Sequence, residues 1–223
     1  MEWNIGVKMK LKCMTLYALI GLFYFFLMRT IGTLYPIINY NLTWLTIELI
    51  LNFIAQLAIS LFFLALIKEY LPDDDIPLLN ITILTFLGSI ALLLVNTLNG
   101  LSSLLYVSLD QSITGRYLVN MIVWIVGFIS VIFYMYFSQY LCKKPDSVLC
   151  KPVMLAFAGS LTAFILHSIN MLNYYYHSTR GRIFLDLKND AMIIPGAILV
   201  LFTYFSLIAF MVYFYKNLNK NEI

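Results

Sequence analysis

Residues 42–67 read LTWLTIELILNFIAQLAISLFFLALI, and Glu48 is the only charged side chain in this run. An α-helix rises about 1.5 Å per residue, so the run is long enough to cross the roughly 30 Å hydrocarbon core of a bilayer. Its apolar residues are continuous, whereas the strands of an outer-membrane β-barrel alternate between apolar and polar residues. The run therefore predicts a transmembrane helix.

Five more segments have the same character, and they span residues 13–34, 76–95, 117–137, 153–176 and 191–215. Asp75 is suited to cap the third helix, and Pro77 is tolerated in its first turn. The stretch 96–116 either extends the third helix or lies in the membrane interface. We predict an all-α fold in which residues 1–223 form one integral membrane domain of six spanning helices.

The composition agrees with this class. Of the 223 residues, 62% are hydrophobic and 11% are charged, and the mean hydropathy is +0.88. Soluble domains carry about 25% charged residues, so the composition excludes a soluble domain, a disordered chain and a nucleic-acid-binding domain. We expect the lipid bilayer as a partner, other membrane subunits as a further possibility, and no nucleic acid.

An even number of spans places both chain termini on one side of the membrane, called the termini side below; the opposite side is called the far side. Nine lysines fall on the termini side, whereas the far side holds four arginines and one lysine. Cytoplasmic loops are enriched in Lys and Arg, so we expect both termini in the cytoplasm and the protein in the cell (plasma) membrane.

The three cysteines, Cys13, Cys142 and Cys150, fall on the termini side in this topology. Thiols stay reduced in the cytoplasm, so we predict that all three are free. Their spacing matches no zinc motif, and two histidines are too few for a three-histidine zinc site. We expect no metal, no haem and no other cofactor.

Tyrosines at the ends of the spans predict aromatic belts at both membrane interfaces. On the termini side the belt residues are Tyr70, Tyr136, Tyr140, Tyr213 and Tyr215. Between the belts, the half of the membrane nearer the termini is almost purely hydrocarbon, and polar residues collect in the far half. This distribution predicts a polar vestibule that opens to the far side above a closed apolar floor.

Two charged side chains fall inside the predicted spans. Arg29 lies about 24 Å along the first span, and Glu48 lies about 9 Å inside the far end of the second. Because these depths nearly match, we predict a salt bridge between the two helices. In the alternative interpretation, Arg29 snorkels to the surface and Glu48 is protonated or interfacial.

Glu48 also begins a polar stripe on the second span. Asn52, Gln56 and Ser60 follow it at intervals of four residues, so all four side chains share one helix face. Such a stripe either supplies hydrogen bonds that hold neighbouring helices together or forms the wall of a hydrated cavity or ion path.

The fifth span carries a second polar face, formed by His167, Asn170, Asn173 and His177. His167 is either a hydrogen-bonded structural residue or a neutral imidazole that lines a pathway. Two histidines ten residues apart on one helix do not favour a metal or haem site.

All four arginines lie at the far ends of the spans; they are Arg29, Arg116, Arg180 and Arg182. Their guanidinium groups suit two-point contacts with carboxylate or phosphate. They either form internal salt bridges with Asp110, Asp186 and Asp190 or bind an anionic ligand or a lipid headgroup.

The candidate ligand or pathway residues are Arg29, Glu48, Asn52, Gln56, Arg116, His167, Asn170, Asn173, Arg180 and Arg182. The sequence contains no P-loop, no GxSxG motif and no nucleophile–base pair of intramembrane proteases, so we assign no catalytic residue. We expect a protein without enzymatic activity that binds or transports a small polar or anionic solute or ion. The alternatives are a structural, sensory or assembly subunit of a membrane complex, and a lipid-modifying enzyme.

In architecture alone, six spans with a polar pocket on the far side resemble the substrate-binding subunits of energy-coupling-factor vitamin transporters. The small-residue coupling motif on the first helix of those proteins is not evident here, since Ala18 and Gly21 are three residues apart rather than four. We therefore transfer no functional residue from that family.

Overall fold

The computed structural model describes residues 2–34, 42–71, 75–104, 113–143, 147–180 and 190–218. Within these ranges the chain forms six α-helices and no strand: α1 (Glu2–Leu34), α2 (Leu42–Glu69), α3 (Ile76–Leu104), α4 (Ile113–Cys142), α5 (Cys150–Arg180) and α6 (Asp190–Asn217). All six are long and apolar enough to cross a membrane. The prediction of an all-α, six-span integral membrane protein is confirmed.

The helices extend beyond the predicted spans. Helix α1 begins at Glu2 instead of residue 13, and α3 continues to Leu104, so the first part of the 96–116 stretch extends the third helix. The third helix begins as predicted, because the Asp75 carboxylate accepts a hydrogen bond from the Leu78 amide at 3.3 Å. The apolar run defines only the part of each helix inside the bilayer, whereas the helix itself continues until residues that disfavour helix end it.

The six helices form a closed ring. Each helix packs against its neighbours in the sequence, and α6 packs against α1. Small residues bring some neighbours into close contact. A β-carbon at Gly21 of α1 would lie 2.8 Å from the Ala55 carbonyl oxygen of α2. At the α5–α6 contact the Thr203 hydroxyl donates a hydrogen bond to the Gly159 carbonyl at 3.3 Å.

One face of each helix is apolar and exposed, as lipid contact requires. On α1 this face contains Leu16, Ile20, Phe23, Leu27 and Ile31, at intervals of three or four residues. Lipid is as apolar as these side chains, so the outer surface of the ring needs no other partner to cover it.

Aromatic side chains from alternate helices fill the centre of the ring on the termini side. We call this cluster the aromatic floor; its members are Phe62 and Phe63 of α2, Tyr70 directly after α2, Phe133, Tyr134, Phe137 and Tyr140 of α4, and Phe210 and Phe214 of α6. Ring centroids of Phe63 and Phe133 lie 5.3 Å apart, and those of Phe137 and Phe210 lie 6.0 Å apart. This cluster agrees with the predicted excess of apolar residues in the half of the membrane nearer the termini.

Tyr70 and Tyr140 belong to the floor, so their assignment to an interfacial belt was wrong. Tyr70 packs edge to face on Phe137 and Phe214, with centroids 6.1 and 5.3 Å apart. Tyr136 and Tyr213 are exposed, as a belt requires. Position along the helix predicts depth in the membrane, but it does not tell which way a tyrosine faces.

The odd-numbered helices contribute small side chains around the floor. Thr15 and Ala18 of α1, Thr82 of α3 and Ala156 of α5 are completely buried. The two threonine hydroxyls donate to carbonyls four residues earlier in their own helices, at 2.8 and 2.7 Å. These two buried hydroxyls are thus satisfied within single helices, and they allow close packing without a polar bond to a neighbouring helix.

The structure joins Cys142 and Cys150 in a disulfide, so the prediction that both are free thiols was wrong. Helix α4 ends at Cys142 and α5 begins at Cys150, and the hairpin between them holds the two Cα atoms 4.8 Å apart. Cys13 is free and exposed, as predicted.

Candidate functional site

Among the described residues, side chains are buried on the termini side of the ring and more exposed on the far side. In each helix, buried side chains stop near the middle of the membrane. The buried residues nearest the far side are Leu22 in α1, Ala55 in α2, Leu93 in α3, Val126 in α4, Ser160 in α5 and Thr203 in α6. Beyond them, every side chain in the described part of the helices is at least partly accessible.

The polar stripe of α2 faces the centre of the ring. Glu48 precedes Phe62 by fourteen residues and Asn52 precedes Phe63 by eleven, close to four and three helical turns, so they share the face that carries Phe62 and Phe63 into the floor. Phe62 and Leu66 are fully buried, whereas Glu48 and Asn52 are only half-buried. This face of α2 is therefore buried on the termini side and partly exposed on the far side.

Gln56 shows the other predicted role of the stripe, a hydrogen bond between helices, whereas Ser60 bonds within α2. The Gln56 side-chain amide donates to the Ser89 carbonyl of α3 at 3.5 Å. The buried Ser60 hydroxyl donates to the Gln56 carbonyl at 3.0 Å. These two residues lie at the lower edge of the accessible region and contribute to packing.

Glu48 is within electrostatic range of the Tyr24 hydroxyl of α1, and that hydroxyl is buried with no hydrogen-bond partner among the described residues. Arg29 follows the buried Leu22 by seven residues, so its Cα lies on the interior side of α1. The Arg29 side chain lies outside the described part of the chain, and the Arg29–Glu48 salt bridge stays a prediction.

Two interior asparagines were not assigned to the site from sequence. Asn96 and Asn99 follow the buried Ser89 by seven and ten residues, so they continue the buried face of α3. Both are exposed. The hydropathy pattern placed the end of the third span at residue 95, directly before Asn96. The sequence has no helix breaker before Gly100, and this signal could have extended the predicted helix to include both asparagines.

His167 occupies the corresponding position on α5. It follows the buried Ser160 by seven residues and Ala156 by eleven, and it is half-buried. Its Nε2 atom lies 3.4 Å from the Asn120 backbone carbonyl of α4. A carbonyl only accepts hydrogen bonds, so Nε2 is the donor in this contact. One turn away, the Trp124 indole donates to Ser168 at 3.0 Å and fixes α4 against α5.

We call Glu48, Asn52, Asn96, Asn99 and His167 the far-side polar set. It combines one carboxylate, three amides and one imidazole on the interior faces of three helices. Amides and imidazole donate and accept hydrogen bonds, so the set can replace the water around a small polar molecule. Within the described ranges, no three His, Cys, Asp or Glu side chains come together as metal ligands.

The remaining predicted site residues lie outside the part of the structure whose side chains are described; they are Asn170, Asn173, Arg116, Arg180 and Arg182. Asn170 and Asn173 are in α5, Arg180 is its last residue, and Arg116 is in the first turn of α4. Their assignment stays a prediction.

Comparison of the chain with protein-family models, with curated proteins and with solved structures gives no match. The architectural resemblance to vitamin transporter subunits therefore has no support from a matching family.

Proposed function

We propose that the protein binds a small polar or anionic solute from the far side, in a vestibule bounded by the far-side polar set, and passes it across the membrane when the aromatic floor opens. The observation that carries the proposal is that Asn96 is exposed. Ser89 and Thr85, on the same face of α3 but two to three turns nearer the termini side, are buried. A side chain on the interior face of a ring is exposed only where the ring encloses accessible space.

The chemistry of the far-side polar set supports a hydrogen-bonding solute. A polar group that leaves water costs several kcal/mol unless new hydrogen bonds replace the old ones. Asn52, Asn96 and His167 supply donors and acceptors from three different helices. The predicted arginines at the rim would add charge-assisted contacts to an anion.

The aromatic floor has the properties of a gate. Its contacts join α2, α4 and α6, which are not neighbours in the ring, and they are apolar. Edge-to-face aromatic contacts are each worth only about 0.5–1.5 kcal/mol beyond burial. The buried hydroxyls around the floor bond within their own helices, so the helices can shift without leaving polar groups unpaired.

A thermal-shift screen tests solute binding. A panel of amino acids, dicarboxylates and phosphate esters is added to the purified full-length protein in low-salt buffer. A bound solute stabilises the folded state, by about 2.7 kcal/mol at a hundredfold excess over its Kd. We expect Asn52→Leu to abolish the shift. Asn80→Leu is the matched control, because Asn80 is exposed on the lipid-facing side of α3.

A panel without any stabilising compound, or a shift that is unchanged in Asn52→Leu, contradicts the proposal. That result favours the alternative of a structural or assembly subunit, in which a partner covers the polar set.

A further inference from the structure

We propose that the Cys142–Cys150 disulfide is a reversible redox site on the termini side of the membrane. The bond joins the last residue of α4 to the first residue of α5. Cys142 is exposed and Cys150 is half-buried, so a reagent dissolved in water can approach the bond from the surface. The inference does not depend on the proposed solute binding.

The charges around the disulfide favour thiol exchange. Exposed lysines, Lys143 and Lys151, directly follow the two cysteines in the sequence. Cys150 also lies at the N-terminus of α5, where the helix dipole stabilises negative charge. Thiolates stabilised in this way are good leaving groups when another thiol attacks the disulfide.

The location of the bond argues that exchange takes place. The termini side carries nine lysines, a distribution typical of the cytoplasmic side. Permanent disulfides are rare in the cytoplasm, and the disulfides that do form there are usually transient, catalytic or redox-sensing. An accessible disulfide on a lysine-rich surface fits that reversible class.

The reaction partner is a dithiol, either a small molecule or a dithiol protein. Its thiolate attacks one sulfur, the Cys142–Cys150 bond breaks, and a mixed disulfide forms with the other cysteine leaving as a thiolate. The second thiol of the partner then displaces the bound cysteine. Cys142 and Cys150 together gain two electrons and two protons, and the partner is oxidised to a disulfide. Exchange with an oxidised partner runs the same steps backwards.

Reduction should release the two helix ends without unfolding the hairpin. Leu141 and Leu149, next to the two cysteines, are buried at 1% and 4% exposure, so apolar packing still holds the hairpin. Helix α4 also carries Phe133 and Phe137 of the aromatic floor. The redox site therefore lies at the end of a helix that contributes side chains to the aromatic floor.

Alkylation of intact cells that express the full chain tests the proposal. Cells are treated with dithiothreitol or with diamide and quenched in acid, and the denatured protein is labelled with a maleimide-polyethylene glycol that shifts its gel mobility. Cys13→Ala serves as the background, so that only the pair is counted. We expect no adduct after diamide and two adducts after dithiothreitol. Dithiothreitol should reduce the pair while the protein is still folded, before denaturation.

Two results would overturn the proposal. A pair that dithiothreitol reduces only after denaturation is a permanent structural disulfide. A pair that carries two adducts even after diamide does not form the bond in the membrane. The variant Cys142→Ser in the same background should give one adduct under all conditions, and it confirms that labelling is complete.

Discussion

Phe62 of α2 and Phe214 of α6 meet edge to face, with ring centroids 6.0 Å apart and planes at 88°, although their helices are not neighbours in the ring. Contacts of this kind exist because α2, α4 and α6 direct large aromatic side chains inwards on the termini side, while the buried side chains of the odd-numbered helices are aliphatic or small and polar. The resulting floor closes one half of the interior. The other half retains polar side chains that remain accessible.

Phe137 is the centre of the floor, and its truncation should cost more stability than any lipid-facing change. Phe137 is fully buried and packs on Tyr70, directly after α2, and on Phe210 of α6. We expect Phe137→Ala to lower the free energy of unfolding by about 3–5 kcal/mol. Phe205→Ala, at a position 62% exposed to lipid, should change it by less than about 0.5 kcal/mol. Titration of mixed micelles with dodecyl sulfate measures both values; equal losses would show that the floor is not a packed core.

Gly21 is required by the α1–α2 contact. A β-carbon there would meet the Ala55 carbonyl oxygen at 2.8 Å, and a backbone atom cannot turn away as a side chain can. We expect Gly21→Ala to destabilise the protein by about 1–3 kcal/mol. Gly196→Ala is the control, because nothing lies within 4 Å of its β-carbon position. It should stabilise α6 by up to about 1 kcal/mol. Thermal unfolding in detergent distinguishes the two, and a neutral Gly21→Ala would contradict the close contact.

Tyr70 should make the fold sensitive to alkaline pH. Burial raises the pKa of the Tyr70 hydroxyl, and Tyr140 adds to the effect. A raised pKa means that the folded state retains the proton longer, so stability is complete below the ordinary pKa of about 10 and falls as the pH rises above it. We expect Tyr70→Phe to weaken this alkaline loss. The variant should also gain about 1 kcal/mol at neutral pH, because the buried hydroxyl has no partner among the described residues.

Melting temperatures from pH 7 to 11 provide the measurement for Tyr70. Lysines titrate in the same range, so the comparison is between the wild type and Tyr70→Phe at each pH. Parallel curves for the two proteins would show that Tyr70 is ionised equally in the folded and unfolded states.

The sequence was sufficient to predict the six helices and the unequal distribution of polar groups, because both depend on composition along single segments. It was insufficient for features that depend on packing between segments. Tyr70 had the sequence position of an interfacial residue, and only its contact with Phe214 shows that its side chain points into the ring of helices. Asn96 was counted among the polar residues of the far half but was not assigned to the site, because the hydropathy run ends where the bilayer ends, whereas α3 continues to Leu104. The disulfide was missed because reduced thiols were inferred from topology alone.

Arg29 and Glu48 should be energetically coupled. Glu48 is on the interior face of α2, and the Cα of Arg29 is on the interior side of α1. Because Glu48 is only half-buried, loss of one partner should cost about 1 kcal/mol, and loss of both should cost less than the sum of the two single losses. We expect Glu48→Gln to destabilise the protein and Arg29→Met with Glu48→Met to restore most of its stability. Additive effects in a double-mutant cycle would show that the two side chains do not meet.

Water access to the interior of the far half tests the central claim most directly. Single cysteines are introduced into a cysteine-free background in matched pairs, two residues apart and therefore at nearly equal depth on opposite helix faces. In each pair the second position is exposed to lipid at 48–58%. The pairs are Asn52 with Ile50, Asn96 with Leu94, and His167 with Ile165.

Proteoliposomes or cells are treated from the far side with a charged, membrane-impermeant methanethiosulfonate, and the rate of modification is measured. We predict rapid modification at Asn52→Cys, Asn96→Cys and His167→Cys and none at their lipid-facing partners. Leu66→Cys in the floor should react from neither side, since Leu66 is fully buried. Protection of all three interior positions, or equal rates within the pairs, would contradict a vestibule above a closed floor.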